Sequence, residues 1–197
     1  ATAAFEAFDY ARALERAEDF FWWFCDDYVE LVKTRAYAGA DDPGAASALL
    51  ALRTALDTVL RLFAPFLPFV TDEVWSWWQD GSIHRSMWPD AGPLRALAGD
   101  ADDSLLNDLA TVLTGVRKAK SDAKVSMRAP LARVEITGPA EAVRRIDGAL
   151  DDVRALFGVG PAAGAAPAPD VVVAVFPAST SPERVAAAVR EQLAGSR

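Results

Sequence analysis

The chain has 197 residues, 52% of them apolar and 24% charged, with a net charge of −8 and one cysteine. That balance fits one or two ordinary folded domains and excludes a disordered chain, an internal disulfide and a uniformly basic nucleic-acid-coating protein. With no run of about 18 apolar residues and no basic-flanked apolar leader, neither a membrane span nor a signal peptide is expected, and the setting is expected to be reducing and cytoplasmic.

Residues 3–38 predict one long amphipathic helix. Its densest part, Asp19 to Tyr37, contains no Gly or Pro: five consecutive aromatics (Phe20 to Phe24), then Cys25, Tyr28, and a basic pair at Lys33 and Arg35. On a helical period Trp22, Asp26, Val29 and Lys33 share one stripe, and Phe21, Cys25, Tyr28 and Val32 the next. One face is thus built for a core, and its edges carry charge. Gly39 is the expected C-terminal cap and residues 41–44 a turn. Ala45 to Phe63 holds a helical period through Leu49, Leu52, Leu56, Val59 and Leu60, and Pro65 and Pro68 end it. Thr71 is the expected N-cap of a third helix that carries Val74, Trp75, Trp77 and Trp78 and stops at Asp80–Gly81. Residues 82–101 read as irregular. A fourth helix runs from Asp102 to about Lys124 on a stripe of Leu105, Leu109, Val112, Leu113 and Val116.

The expected fold class is therefore mainly α: a helical bundle over residues 1–128, followed by a small α/β extension over 129–197. In the extension, Leu131–Thr137 alternates as a strand does, and Ala140–Phe157 reads as a helix. Gly158–Pro169 reads as a loop, Val171–Phe176 as a strand and Pro182–Leu193 as a last helix.

Candidate chemistry gathers in two places. Between Val112 and Glu135 six basic residues (Arg117, Lys118, Lys120, Lys124, Arg128, Arg133) meet two acidic ones. A basic patch on an acidic chain fits a protein that touches RNA at one place, and the spacings of three and four put Arg117, Lys120 and Lys124 on one helical face. The competing reading is a solvated basic face. In the first helix, Trp22 and Trp23 lie about 100° apart, so at least one reaches the rim, where a ring can stack on a splayed base. Core packing competes for the rest of the run. Lys33 and Arg35 either offset the helix dipole or reach a phosphate backbone. His84 has no second ligand at metal spacing, and Cys25 sits in an apolar stripe as an inert thiol, so no metal site and no catalytic residue are assigned.

Three motifs carry a resemblance. They are F-W-x-F-C-D-x-Y-V-E-x-x-K-x-R-x-Y (Phe21 to Tyr37), L-R-L-F-A-P-F-L-P-F-V-T-D-E-V-W (Leu60 to Trp75) and S-I-H-R-S-M-W-P (Ser82 to Pro89). In this order and spacing the chain resembles the anticodon-binding domain of the class I aminoacyl-tRNA synthetases for branched aliphatic amino acids. The likeness covers roughly residues 5–130 and favours the valyl over the isoleucyl and leucyl enzymes. It implies that the chain is a piece of a larger, monomeric enzyme and holds the anticodon stem-loop of tRNA(Val) for an upstream catalytic domain of the same chain. The candidate contacts are Trp22, Trp23, Lys33, Arg35, Arg117, Lys118, Lys120, Lys124 and Arg128. The whole enzyme would join valine to its tRNA using ATP and magnesium; this piece lacks a His-x-Gly-His element and a Gly-rich strand-to-helix turn, and is expected to need no cofactor and to be inactive alone. Two departures stand out: Asp27 replaces a frequent tryptophan, and Pro182–Arg197 is too short for the family's basic coiled-coil arm. The rival expectation is a helical protein-interaction module with no RNA contact.

Overall fold

The computed structural model describes residues 1–39, 41–129, 131, 134–159 and 171–174. Two compact units result, Ala1–Ala101 and Asp102–Arg197. The fold is mainly α, as the periodicities predict. Most of the predicted 158–169 loop, the end of the 171–176 strand, the 182–193 helix and Arg133 lie outside the described residues.

The first unit contains α1 (Thr2–Glu6), α2 (Tyr10–Trp23), a π-helical segment (Phe24–Val29), α3 (Glu30–Ala36), α4 (Pro43–Phe63), α5 (Pro68–Ser76), a 3-10 turn (Ile83–Arg85) and α6 (Ala91–Ala98). The single helix expected over 3–38 is thus divided. Phe8 takes φ +59°, which stops α1, and the Asp9 carboxylate then accepts from Arg12 N–H at 3.0 Å, restarting the chain at Tyr10. Ala13 and Ala17 are buried, and the small side chain of Ala17 lets α2 close on Val59 and Phe63 of α4. At the start of α4 the Asp42 carboxylate accepts from Ala45 N–H at 2.9 Å, with Pro43 in the first turn, where its missing donor would be free anyway.

Two further expectations change. α5 begins at Pro68, so Thr71 lies inside it; its buried hydroxyl donates back to the Leu67 carbonyl at 2.8 Å instead of capping. The stretch expected to be irregular holds α6, capped by Asp90, which accepts from Gly92 N–H at 2.9 Å. Gly92 and Pro93 both fall in its first turn, where neither interrupts the hydrogen-bond ladder. Between α5 and α6, Asp72 accepts from Ser82 Oγ at 2.7 Å and Ile83 N–H at 2.9 Å. Those bonds seat Ile83 beside Leu60, Ala64 and Trp75, and they hold the Asp72 carboxyl below the ordinary carboxylate range. The motif spacing from T-D-E-x-W to S-I thus has a physical cause.

The second unit contains α7 (Ser104–Asp122), β1 (Val134–Thr137), α8 (Ala140–Asp147), α9 (Leu150–Phe157) and β2 (Val171–Ala174). β1 and β2 pair in parallel, Val134 opposite Val171 and Thr137 opposite Ala174. The helix expected over 140–157 is two helices, broken at Gly148–Ala149. α7 buries Leu109, Val112, Leu113 and Val116 and packs against α8 and β2. Arg145 of α8 donates through Nε to Asp108 Oδ2 of α7 at 2.8 Å, and a terminal nitrogen approaches the same oxygen at 2.7 Å, so one carboxylate oxygen ties the two helices.

Candidate nucleic-acid interface

The aromatic run forms a ridge along α2 and the π segment. Phe20 and Phe24 stack at 5.6 Å between ring centres and 21° between planes, and Phe24 and Tyr28 at 5.5 Å and 19°. Trp23 joins from the side, 6.1 Å from Phe20 and 6.2 Å from Tyr28, and is half-buried. Trp22 leaves the ridge and is 59% exposed. Its ring meets the edge of Phe21 at 5.3 Å, and Phe21 meets Phe63 of α4 at 5.5 Å. The result is an exposed indole with a footing in the core, so its orientation is fixed by packing rather than by a ligand.

Cys25 is half-buried in the π segment; burial, helped by the Asp26 carboxylate, pushes its thiol up and keeps it protonated. Lys33 is exposed and forms an ion pair with Glu30 one turn earlier. Arg35 is half-buried, and its stem lies over Gly44 so closely that a Cβ there would come within 3.0 Å of Arg35 Cδ. Trp22, Trp23, Lys33 and Arg35 are thus carried by one nearly continuous helical segment of the first unit.

The basic run is carried by the second unit and does not form the single face predicted for it. Lys118 is exposed on α7 and Arg117 is half-buried. α7 ends at Asp122, so Lys124 is off the helix. Lys124 takes φ +56°, its N–H donates to the Ser121 carbonyl at 3.0 Å, and Val125 N–H donates to the Lys120 carbonyl at 2.9 Å. That is a Schellman closure with a lysine in the left-handed position that glycine usually fills. Arg128 is exposed beyond it, its N–H donating to Ser126 Oγ at 3.3 Å. Lys120 corrects the expectation of a phosphate-facing side chain: it is 1% exposed, and its ammonium donates to the carbonyls of Met127 at 3.0 Å and Ala129 at 2.6 Å. The ammonium also lies 5.4 Å from the centre of the Phe157 ring, and burial lowers its pKa.

Sequence reasoning passed over the far side of α4. Arg53 lies over the Trp78 ring at 5.3 Å, and Arg61 donates to the Met87 carbonyl at 3.3 Å while pairing with Asp57. Arg53, Asp57, Arg61 and Trp78, with Thr58 and Leu94, line an open groove of about 410 Å³. An adjoining, more apolar groove of about 420 Å³ runs between Phe20, α4 and α6. No sequence signal announces these grooves, because α6, which walls both, reads as a loop. Among the described residues no cluster of three or more His, Cys, Asp or Glu side chains is placed to hold a metal ion, and no helix is long and apolar enough to cross a membrane.

A mainly helical chain with an anchored aromatic ridge and a basic helix end has the two surface chemistries of an RNA-contacting domain. The chain belongs to the family described as the anticodon-binding domain of tRNA ligases, whose model matches residues 1–136. Within that family it is similar to valine–tRNA ligases. It is 58% identical to that of Thermobifida fusca over 138 residues, which are 70% of this chain and 16% of that protein. Against the enzyme of Cutibacterium acnes the identity is 53% over 155 residues, 78% of this chain and 18% of the relative. For Leifsonia xyli it is 51% over 156 residues, 79% and 18%. The chain therefore spans less than a fifth of the length of these relatives.

Proposed function

We propose that this chain holds the anticodon stem-loop of a valine tRNA and sets its register for a catalytic domain in the same polypeptide. The observation that carries the reading is Trp22, an exposed indole anchored through Phe21 to Phe63, in a chain of the anticodon-binding family. A base turned out of the loop would stack on it, which is worth about 1–3 kcal/mol per base. Trp23 flanks the ridge; Lys33, Arg35, Arg117, Lys118, Lys124 and Arg128 are the proposed backbone contacts, which supply affinity without sequence information. Lys120 is withdrawn from that set. The whole enzyme would be a cytoplasmic monomer that charges tRNA(Val) with ATP and magnesium, all of that chemistry lying in its catalytic part.

The test is a gel-shift titration of the 197-residue chain with a valine tRNA transcript and with the same transcript carrying a swapped anticodon, each at low and moderate salt. Preference for the valine anticodon is expected. Equal binding to both transcripts reduces the surface to a backbone contact, and no binding at either salt overturns the RNA reading for this chain.

A further inference from the structure

We propose that Lys120 is a positioning residue that holds residues 123–129 in the shape that presents Lys124 and Arg128 to an RNA backbone. The inference rests on the RNA-contact reading of that loop. Lys120 occupies the next place on the buried stripe of α7, four residues after Val116, and its side chain continues the core of the second unit. Its stem is long enough to carry the ammonium past the helix end, where it meets two carbonyls from the returning loop, those of Met127 and Ala129. The backbone closes the other half of the same loop: Val125 N–H reaches the Lys120 carbonyl at 2.9 Å, and Ala129 N–H reaches the Ser126 carbonyl at 3.0 Å. One residue therefore binds the loop from both ends of its own structure, accepting through its carbonyl and donating through its ammonium.

Three features separate this role from plain core packing. An apolar side chain would fill the stripe equally well, yet only a multiple donor can satisfy two carbonyls turned into the protein. The loop so held is short and carries two exposed cations, Lys124 and Arg128. Lys124 sits at φ +56°, a conformation that disfavours any side chain, so a charge is retained where glycine would be easier. A loop fixed before binding loses less conformational freedom when it meets a ligand, and this is how a residue that touches no phosphate can raise affinity for one.

Salt dependence distinguishes the two roles. A side chain that contacts a phosphate lowers the slope of log affinity against log salt by about one when removed, whereas a positioning residue leaves the number of contacts unchanged. The experiment compares the unchanged chain with Lys120→Met, Lys120→Gln and the double variant Lys124→Ala/Arg128→Ala. It measures valine tRNA binding across a salt series and amide deuterium exchange without RNA. Lys120→Met is expected to weaken binding about tenfold at fixed salt while the slope stays within about half a unit. Exchange at residues 125–129 should rise at least about tenfold while α2 and α4 stay protected. Lys120→Gln, which keeps a donor on a shorter side chain, should raise loop exchange less than Lys120→Met but still above the unchanged chain, and it carries the exchange test if the methionine variant does not fold.

A slope lower by about one in Lys120→Met, with loop exchange unchanged, would make Lys120 a phosphate contact and overturn the proposal. Unchanged binding and unchanged exchange overturn it as well. The double variant judges the underlying reading separately: if its slope matches that of the unchanged chain, this loop does not touch RNA, whatever Lys120 does to loop exchange.

Discussion

On α2 the side chains of Phe20 and Trp22 are partly exposed to solvent, while on α7 Lys120 is 1% exposed. Average burial tendencies would place both the other way round. Local partners account for the inversion. The seam between α2 and α4 is taken up by Ala17, Leu14, Val59, Phe63 and Phe21, so the remaining rings pack on one another as a ridge. At the end of α7 the opposite holds, because two loop carbonyls need donors and the lysine provides them. Surplus apolar volume moves outward and a satisfied cation moves inward.

The largest test of this contrast removes the footing of the ridge. Phe63 is nearly buried, touches the Ala17 seam and supports Phe21, so Phe63→Ala should cost about 3–5 kcal/mol in urea unfolding. A loss under about 1 kcal/mol would mean that the ridge does not depend on α4. Trp22→Ala should do the reverse. Stability should stay within about 0.5 kcal/mol, since the ring is exposed, while affinity for the valine tRNA falls about 5- to 150-fold. If affinity holds, the ridge is no base platform and its exposed rings serve another surface.

How much of this was legible in the sequence follows from the range of the interactions. The long helical periods identify α4 and α7 within a few residues, but α4 starts at Pro43, capped by Asp42, inside the stretch that reads as a turn. The breaks at Phe8 and Gly148–Ala149 have different causes: Phe8 takes a left-handed conformation that its residue type does not announce, and Gly148, in the right-handed region, reads as a glycine tolerated inside a helix. α6 was hidden by Gly92 and Pro93, which read as breakers unless the helix is known to start at Ala91. The motif spacing flagged the Asp72 clamp without explaining it, since a bond across ten residues has no local period. For Lys120 a signal existed. It falls four residues after Val116 on the buried stripe, but its charge outweighed its position when the run was read as one basic face.

The left-handed lysine offers the next contrast, between stability and contact. Lys124→Gly would remove the steric penalty at φ +56° and should raise stability by up to about 1 kcal/mol, less whatever the more flexible unfolded chain takes back. The same change deletes a proposed phosphate contact, so the salt slope of tRNA binding should fall by about one. A melting temperature that rises as the slope falls would identify a position where charge is kept at the expense of fold stability. A slope that does not move would leave Lys124 as a solvated cation.

The smallest effects are expected at Lys33, and they complete the comparison of the two lysines. Lys33 and its partner Glu30 are 46% and 43% exposed, in contrast to the buried Lys120, so their ion pair is screened. Lys33→Ala should change stability by only a few tenths of a kcal/mol, roughly the worth of an exposed pair within one helix. Its effect on RNA is better judged through the partner. Glu30→Gln leaves the lysine in place but removes the carboxylate that competes for it. If Lys33 faces a phosphate, that variant should bind the valine tRNA more tightly by a small factor at low salt, and the gain should fade as salt screens the cation. If binding does not change at low salt, Lys33 belongs to the helix dipole and its ion pair, and the RNA contacts of the first unit fall to Arg35 and the ridge.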